Sequence, residues 1–307
     1  MSGAKRIILL RTVLLIFFGL CCRNGLALDA EVDWNKAERI QQGVDLLRIE
    51  LAQPRLMKMY LLRIDLDTPG LRFTGTARDP EWGKPMPDFP KGTIRTRRIR
   101  TRNFLLNARR DGLNMIVAAN SAPWTPWQKP FTHAYGEPLG VAILDGVVIS
   151  DSKPHRGVFV VYQDGRVDIV EELPEKEYPR VRLATSGFAL ILRDGKALPG
   201  GAYERDPYPR MAYGLSRDRK YFYILAVDGR QPEWSMGATG AELSEIFLKA
   251  GAADAVNMDG GGSTTLCYWD AETEEAIVLT RHGSGGYQRP VGANLGIFLE
   301  TSPDAGN

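Results

Sequence analysis

Three Asp-Gly pairs, Asp145-Gly146, Asp164-Gly165 and Asp194-Gly195, each lie between two apolar runs. A type I′ hairpin needs positive φ at both central residues, which Asp-Gly tolerates, so each pair marks a tight reversal between antiparallel strands. This half of the chain therefore reads as mainly antiparallel sheet. Further strands are expected at Gly43–Ile49 and at Met57–Leu66, the second alternating in part through Tyr60, Leu62, Ile64 and Leu66. These two form an antiparallel pair. A buried strand at Asn114–Ala119 and an apolar one at Tyr221–Val227 complete the outline, the latter leading into the turn Asp228-Gly229-Arg230.

Helices are fewer. Ile94–Arg110 carries Arg95, Arg97, Arg98, Arg100, Arg102, Arg109 and Arg110 around Ile99, Phe104, Leu105 and Ala108, which predicts a helix stopped by Gly112. Its arginine face suits solvent, or an anionic polymer. Before it, Pro80, Pro85, Pro87 and Pro90 predict a loop over residues 79–93, since proline supplies no ladder donor. The plainest helix starts at Thr239-Gly240-Ala241-Glu242, a capping-box spacing, with Leu243, Ile246, Phe247 and Ala250 on one face and Gly251 as the stop. It feeds a strand that ends at Asp259, so a strand, helix, strand unit is expected there. The fold class is α+β, with mainly antiparallel or mixed twisted sheets and a few packed helices in one catalytic domain.

The first 27 residues stand apart. Lys5, Arg6 and Arg11 precede an apolar core from Thr12 to Leu20, and Gly25-Leu26-Ala27 offers a cleavage point, the pattern of a secretory signal. Export to the periplasm or the exterior follows, and anchoring through Cys21 is disfavoured because Phe18-Gly19-Leu20 poorly matches lipoprotein processing. Cleavage after Ala27 leaves Cys267 as the one remaining cysteine, read as a buried structural thiol in an apolar strand. Residues 28–112 then carry the N-terminal strands, proline-rich loop and arginine-rich helix, residues 113–300 the catalytic part, and residues 301–307 a tail. With a net charge of +2 over 307 residues, the chain is not a dedicated nucleic-acid binder.

The segment with the strongest chemical content is Asn257-Met258-Asp259-Gly260-Gly261-Gly262-Ser263-Thr264. Three successive glycines are costly to order and suit a backbone lying close to something, a ligand or simply a tight turn. Turn N–H groups could bind an anion, Asn257, Ser263 and Thr264 add neutral donors, and Asp259 supplies a partly desolvated carboxylate, a candidate acid or base. Asp228 and Glu137 also lie at strand ends or glycine turns and compete as its partner. Arg210 and Arg289 each sit in an otherwise uncharged stretch, where they suit phosphate or carboxylate recognition or a structural salt bridge. Trp124 and Trp127, in a loop with prolines and hydroxyls, offer a platform for a sugar ring or a cap on the core.

Other chemistries fare worse. The three histidines, His133, His155 and His282, form no zinc motif, and no cofactor is implied; a divalent cation at Asp259 lacks supporting ligands. A Ser263 nucleophile would need a distant histidine, of which His282 is nearest in sequence.

Asn257-Met258-Asp259-Gly260-Gly261-Gly262-Ser263, together with Pro209-Arg210-Met211-Ala212-Tyr213-Gly214 and Val227-Asp228-Gly229-Arg230, resembles the phosphodiester glycosidase family. Further matching stretches run through residues 117–121, 140–146, 186–195 and 289–298, so the resemblance spans about residues 113–299. It implies hydrolysis of a sugar 1-phosphodiester in a polysaccharide or glycoconjugate, with Asp259 in the chemistry or orienting the sugar. Arg210, Arg289, Gly261 and Ser263 would hold the phosphate, and Asn120 opens the family's first motif. There the family usually has glycine and an aromatic residue, whereas Asn120 is followed by Ser121-Ala122-Pro123-Trp124, which implies a remodelled pocket wall. A non-catalytic envelope protein binding glycans, or an esterase built on Ser263, are the competing readings.

Overall fold

The computed structural model describes residues 28–127, 133–153, 157–199, 205–283 and 286–300. The signal segment, the tail and His155 lie outside them. The chain opens with β1 (Glu38–Gln41), β2 (Val44–Leu51), β3 (Met57–Asp65) and β4 (Leu71–Gly75). Three short strands follow, β5 (Pro85–Met86), β6 (Phe89–Thr93) and β7 (Thr96–Arg97), before α1 (Thr101–Arg110). Then come β8 (Met115–Asn120), β9 (Trp124–Thr125), β10 (Tyr135–Pro138), β11 (Val141–Leu144) and β12 (Val147–Asp151). The middle holds β13 (Val158–Tyr162), β14 (Val167–Val170), β15 (Val181–Ser186), β16 (Ala189–Arg193) and β17 (Lys196–Ala197). Last are β18 (Arg210–Ser216), β19 (Tyr221–Val227), α2 (Gly240–Ala250), β20 (Ala252–Asn257), β21 (Leu266–Asp270), β22 (Glu275–Val278) and β23 (Asn294–Leu299).

The strands assemble into an eight-stranded sheet, β1-β2-β3-β19-β18-β20-β16-β17, and two five-stranded sheets, β22-β21-β8-β23-β4 and β12-β11-β15-β13-β14. All three pack on a shared core in which Phe159 and Phe222 lie 4.6 Å apart, with Phe73 and Tyr213 edge-on to them. The other face of the large sheet is covered by α2 through Leu243, Ile246 and Phe247. Burial on both faces explains why β19 reads as an unbroken apolar run rather than an alternating one.

Local chemistry sets most of the turns. Asp145-Gly146 and Asp194-Gly195 both have positive φ at the two residues and close two-residue hairpins. At Asp164-Gly165 only the glycine is left-handed; Tyr162 N donates to Arg166 O while Tyr162 O accepts from Gly165 N, so the reversal is a three-residue loop. α2 has its capping box and its left-handed Gly251 as expected. Two expectations need correction. The helix predicted from Ile94 begins only at Thr101: Ile94 and Thr96 are buried with Arg95 and Arg97 more open between and after them, a strand alternation, and β7 pairs with β10. The arginines of this stretch tie down loops, Arg98 on the carbonyls of His133 and Pro290 and Arg102 on that of Ala276. Within the proline-rich segment, β5 and β6 form a small ribbon that buries Met86.

Topology positions the site. β19 and β20 run parallel on either side of antiparallel β18, joined by α2, so their C-terminal ends flank the start of β18 at one edge. That edge carries Asp228, Pro209 and Asp259. The chain between β20 and β21 passes from the large sheet to a five-stranded one, so the glycine turn bridges two sheets instead of closing a hairpin.

Candidate active site

Each glycine of the turn admits a different neighbour. A Cβ on Gly260 would stand 2.8 Å from the Pro209 carbonyl oxygen, and one on Gly262 would stand 2.5 Å from Arg289 Nη2. Gly261 has φ +61°, and Arg230 lies against it, 3.3 Å from where a Cβ would be. The glycines thus let a strand start and two guanidinium groups close on the turn, and of these Arg289 acts on the Asp259 carboxylate. The turn's N–H groups, expected to bind an anion, are largely used within the protein. Gly261 donates to Pro209 O, Ser263 to Gly260 O, Thr264 to Gly261 O and Thr265 to Asn120 Oδ1.

Two lobes open on this turn. The larger, about 570 Å³, is lined by Asp259, Trp127, Leu139, Phe188, Arg230 and Arg289 among others. The smaller, about 200 Å³, has Thr264, Arg281, His282 and Tyr287 in its wall. Arg230, Arg289, Gly261 and Gly262 line both, forming the partition between them.

Asp259 sits at the floor of the larger lobe. Loss of hydration pushes its carboxyl up to about 6, against the opposing pull of hydrogen bonds from Ser263, the Gly260 N–H and Trp124, and of the Arg289 charge. It thus changes charge near neutrality while its geometry is held. Its main chain is fixed too: Asn120 Nδ2 donates to Asp259 O at 2.7 Å, and Asp259 N donates to Ser121 O at 3.0 Å. Burial lowers the pKa of Arg289, with Asp259 opposing that shift and Arg230 adding to it. Arg230 adopts a left-handed backbone, φ 59°, uncommon for a residue other than glycine, and its guanidinium lies 4.7 Å from the Tyr208 ring centre.

The other candidates separate clearly. Asp228 is 1% exposed, with Oδ1 accepting from Arg281 N at 2.8 Å and Oδ2 from Trp234 Nε1 at 2.8 Å and Tyr60 Oη at 3.4 Å. These bonds hold it in the wall of the smaller lobe. Glu137 faces Arg95 at 3.5 Å and lines neither lobe. Asn120 is fully buried between Asp259 O and Thr265 N, so it builds the turn rather than meeting a ligand. Arg210 borders the larger lobe but is 4% exposed, donating to the Ala238 and Asp206 carbonyls. Asn257 is buried and lines neither lobe. Of the tryptophans, Trp124 is buried under the Arg98 guanidinium, 4.3 Å from its ring, whereas Trp127 is 64% exposed at the cleft rim. Ser263 bonds to Asp259, while His282 Nε2 lies 2.9 Å from Thr265 Oγ1. Cys267 is buried, its thiol pushed up to about 12 by burial, as befits a structural residue. Among the described residues no cluster of three or more His, Cys, Asp or Glu side chains could hold a metal ion, and no helix is long and apolar enough to cross a membrane.

Asp259, Arg230 and Arg289 at this glycine turn fall in the stretches on which the family resemblance rests, and a phosphodiester glycosidase family profile covers residues 116–298. The chain belongs to the phosphodiester glycosidase family. Its members are hydrolases of phosphodiester-linked sugars. Solved structures share the fold at low identity. The catalytic domain of a zebrafish N-acetylglucosamine-1-phosphodiester α-N-acetylglucosaminidase, auto-inhibited by its pro-peptide, has a TM-score of 0.59 at 16% identity, over 89% of this chain and 87% of that one. A hypothetical protein from Synechocystis gives 0.57 at 12%, over 86% of this chain; the match spans 64% of the cyanobacterial protein. A Burkholderia pseudomallei protein described as exported gives 0.55 at 13%, over 80% of this chain and 74% of that one. No curated protein matches the sequence.

The arginines Arg230 and Arg281 and the ring of Tyr287 were not singled out as site residues from sequence. Arg230 had a signal, an arginine in an Asp-Gly turn at the end of an apolar strand; Arg281 and Tyr287, in a polar loop, had none.

Proposed function

We propose that this chain is an exported hydrolase that cleaves a sugar 1-phosphodiester, with Asp259 as its catalytic carboxylate and Arg230 and Arg289 on the phosphate. The observation that carries this reading is the placement of one near-neutral carboxyl beside two guanidinium groups on a single glycine turn. The sugar occupies the larger lobe against Trp127, with the phosphate at the partition. Water attacks the anomeric carbon as the bond from that carbon to the phosphate oxygen breaks. The bonding pair leaves with the phosphate, and Asp259 takes a proton from the water. The products are the free sugar and a phosphomonoester.

Because the leaving oxygen departs as part of a phosphate anion, it needs cations more than a proton. That supports a mechanism with one carboxylate in the larger lobe, and neither Asp228 nor Glu137 is needed as an acid. The zebrafish relative's substrate supports N-acetylglucosamine as the first sugar to test, and the Burkholderia relative supports export.

The test is release of free sugar from α-N-acetylglucosamine 1-phosphodiesters by the full chain and by Asp259→Asn. Turnover by the wild type alone, with both proteins folded, is expected. Equal binding by both with no turnover would replace the enzyme with a glycan-binding protein. Rapid labelling by a fluorophosphonate would instead favour Ser263, although its hydroxyl is engaged with Asp259 and the nearest histidine with Thr265.

A further inference from the structure

The smaller lobe has a construction of its own. Thr264 is 4% exposed, and its Oγ1 is buried without a hydrogen-bond partner in the lobe wall, a costly state unless a ligand completes it. Arg281 also lines this lobe, its main chain gripped on both sides: its N–H by Asp228 Oδ1 at 2.8 Å and its carbonyl by Gln231 Nε2 at 2.9 Å. Its guanidinium lies 4.8 Å from the Trp234 ring centre. Tyr287, half exposed, borders the same space. Asp228 is 1% exposed, its two oxygens accept three hydrogen bonds, and it interacts with the Arg281 charge.

We propose that the smaller lobe is an aglycone subsite for a hydroxylated group, a further sugar or polyol, that itself carries a second phosphate. This rests on the reading above, which puts the sugar beside Asp259 and the scissile phosphate at Arg230 and Arg289. The group on the far side of that phosphate then enters the smaller lobe. A polar wall with an orphaned hydroxyl suits aglycone hydroxyls, and Tyr287 offers a ring face at the rim. Arg281 faces the position where a second anion would follow the first. At about 200 Å³, the lobe admits one such unit, and its polar lining is a poor environment for a lipid chain. The substrate class is thus an internal linkage in a chain of sugars or polyols joined by phosphates.

The test uses three esters of the same sugar 1-phosphate: methyl, hexose through its 6-hydroxyl, and that hexose bearing a second phosphate. In the full chain kcat/KM should rise in that order, with about tenfold between the last two, as expected for one charge-assisted contact. Arg281→Ala should bring that ratio near one, and Thr264→Val should lower the ratio of hexose to methyl ester. Equal kcat/KM for all three esters would overturn the subsite while leaving the hydrolase intact. If no ester is cleaved, calorimetric binding of the corresponding phosphomonoesters decides separately. Tighter binding of the doubly phosphorylated hexose, lost in Arg281→Ala, would keep the subsite and remove the hydrolase, whereas equal binding of all three would overturn both.

Discussion

Two Asp-Gly turns sit at the same edge of the same sheet, one at the end of β19 and one just past β20, and they put their carboxylates to opposite uses. Asp228 is 1% exposed, and its oxygens take donors from Arg281, Trp234 and Tyr60. Asp259 opens onto the larger lobe, held by Ser263, the Gly260 N–H and Trp124 and facing Arg289. Burial raises the pKa of both. What separates them is access: one carboxylate is enclosed by three donors, the other lines the larger lobe. At these two turns an Asp-Gly pair after an apolar strand places a carboxylate at the sheet edge, and the neighbours decide how open it is.

The largest expected effect tests this division directly. Asp259→Asn should lower kcat by about 10²–10⁴-fold, the usual span for losing a general base. Asp228→Asn should leave the folded enzyme far more active than that. Steady-state turnover of both variants under matched conditions checks it, and similar losses at the two positions would erase the distinction.

A smaller effect is expected from the turn itself. Gly262→Ala places a methyl group 2.5 Å from Arg289 Nη2, so the guanidinium must move while the carboxylate stays. Misplacing one charge-stabilising group should cost about 10–100-fold in kcat/KM. A Gly262→Ala enzyme with unchanged kinetics would show that Arg289 is not needed where it stands.

Asp228→Asn should be felt mainly in stability. An amide retains one acceptor but turns an N–H toward either the Arg281 N–H or Trp234 Nε1–H, leaving a buried donor facing a donor. The cost is about 1–3 kcal/mol in unfolding free energy, read from urea denaturation. An unchanged midpoint would mean the three hydrogen bonds to Asp228 do not hold this edge together.

How much of this was legible in the sequence depends on how local each cause is. The capping box at Thr239, the Gly251 stop and the hairpins at Asp145 and Asp194 are decided within a few residues, and they read correctly. Asp259 stands out in the sequence for the same reason, as a lone charge between an apolar strand and three glycines, and the fold places it in the lining of the larger lobe. The contacts of Asn120, Arg210 and Trp124 were not legible, because each includes a partner distant in sequence, Ala238 for Arg210 at 28 residues and Asp259 for Asn120 at 139. The false helix start at Ile94 has the same origin. Alternating Ile94 and Thr96 pack into contacts made by distant β10 and the bridge from Ile99 to Val291, which local helical spacing could not reveal.

The smallest effect follows from the same comparison carried into pH. Asp259 has a carboxyl raised from an ordinary 3.8 to about 6 in the fold, so between those values the native protein holds more proton there than the unfolded chain does. Stability contributed by this group is therefore present below about 3.8 and declines as pH rises toward 6, after which the penalty is constant. Asp259→Asn removes the titration. Its melting temperature should gain on the wild type as pH rises through that window, even as its activity is lost, the pattern of a site that gives up stability for chemistry. Melting curves of both proteins from pH 4 to pH 8 decide it. A constant offset across the range would mean that Asp259 does not titrate in the fold as its desolvated position requires, and the carboxylate would lose its claim to act as a base near neutrality.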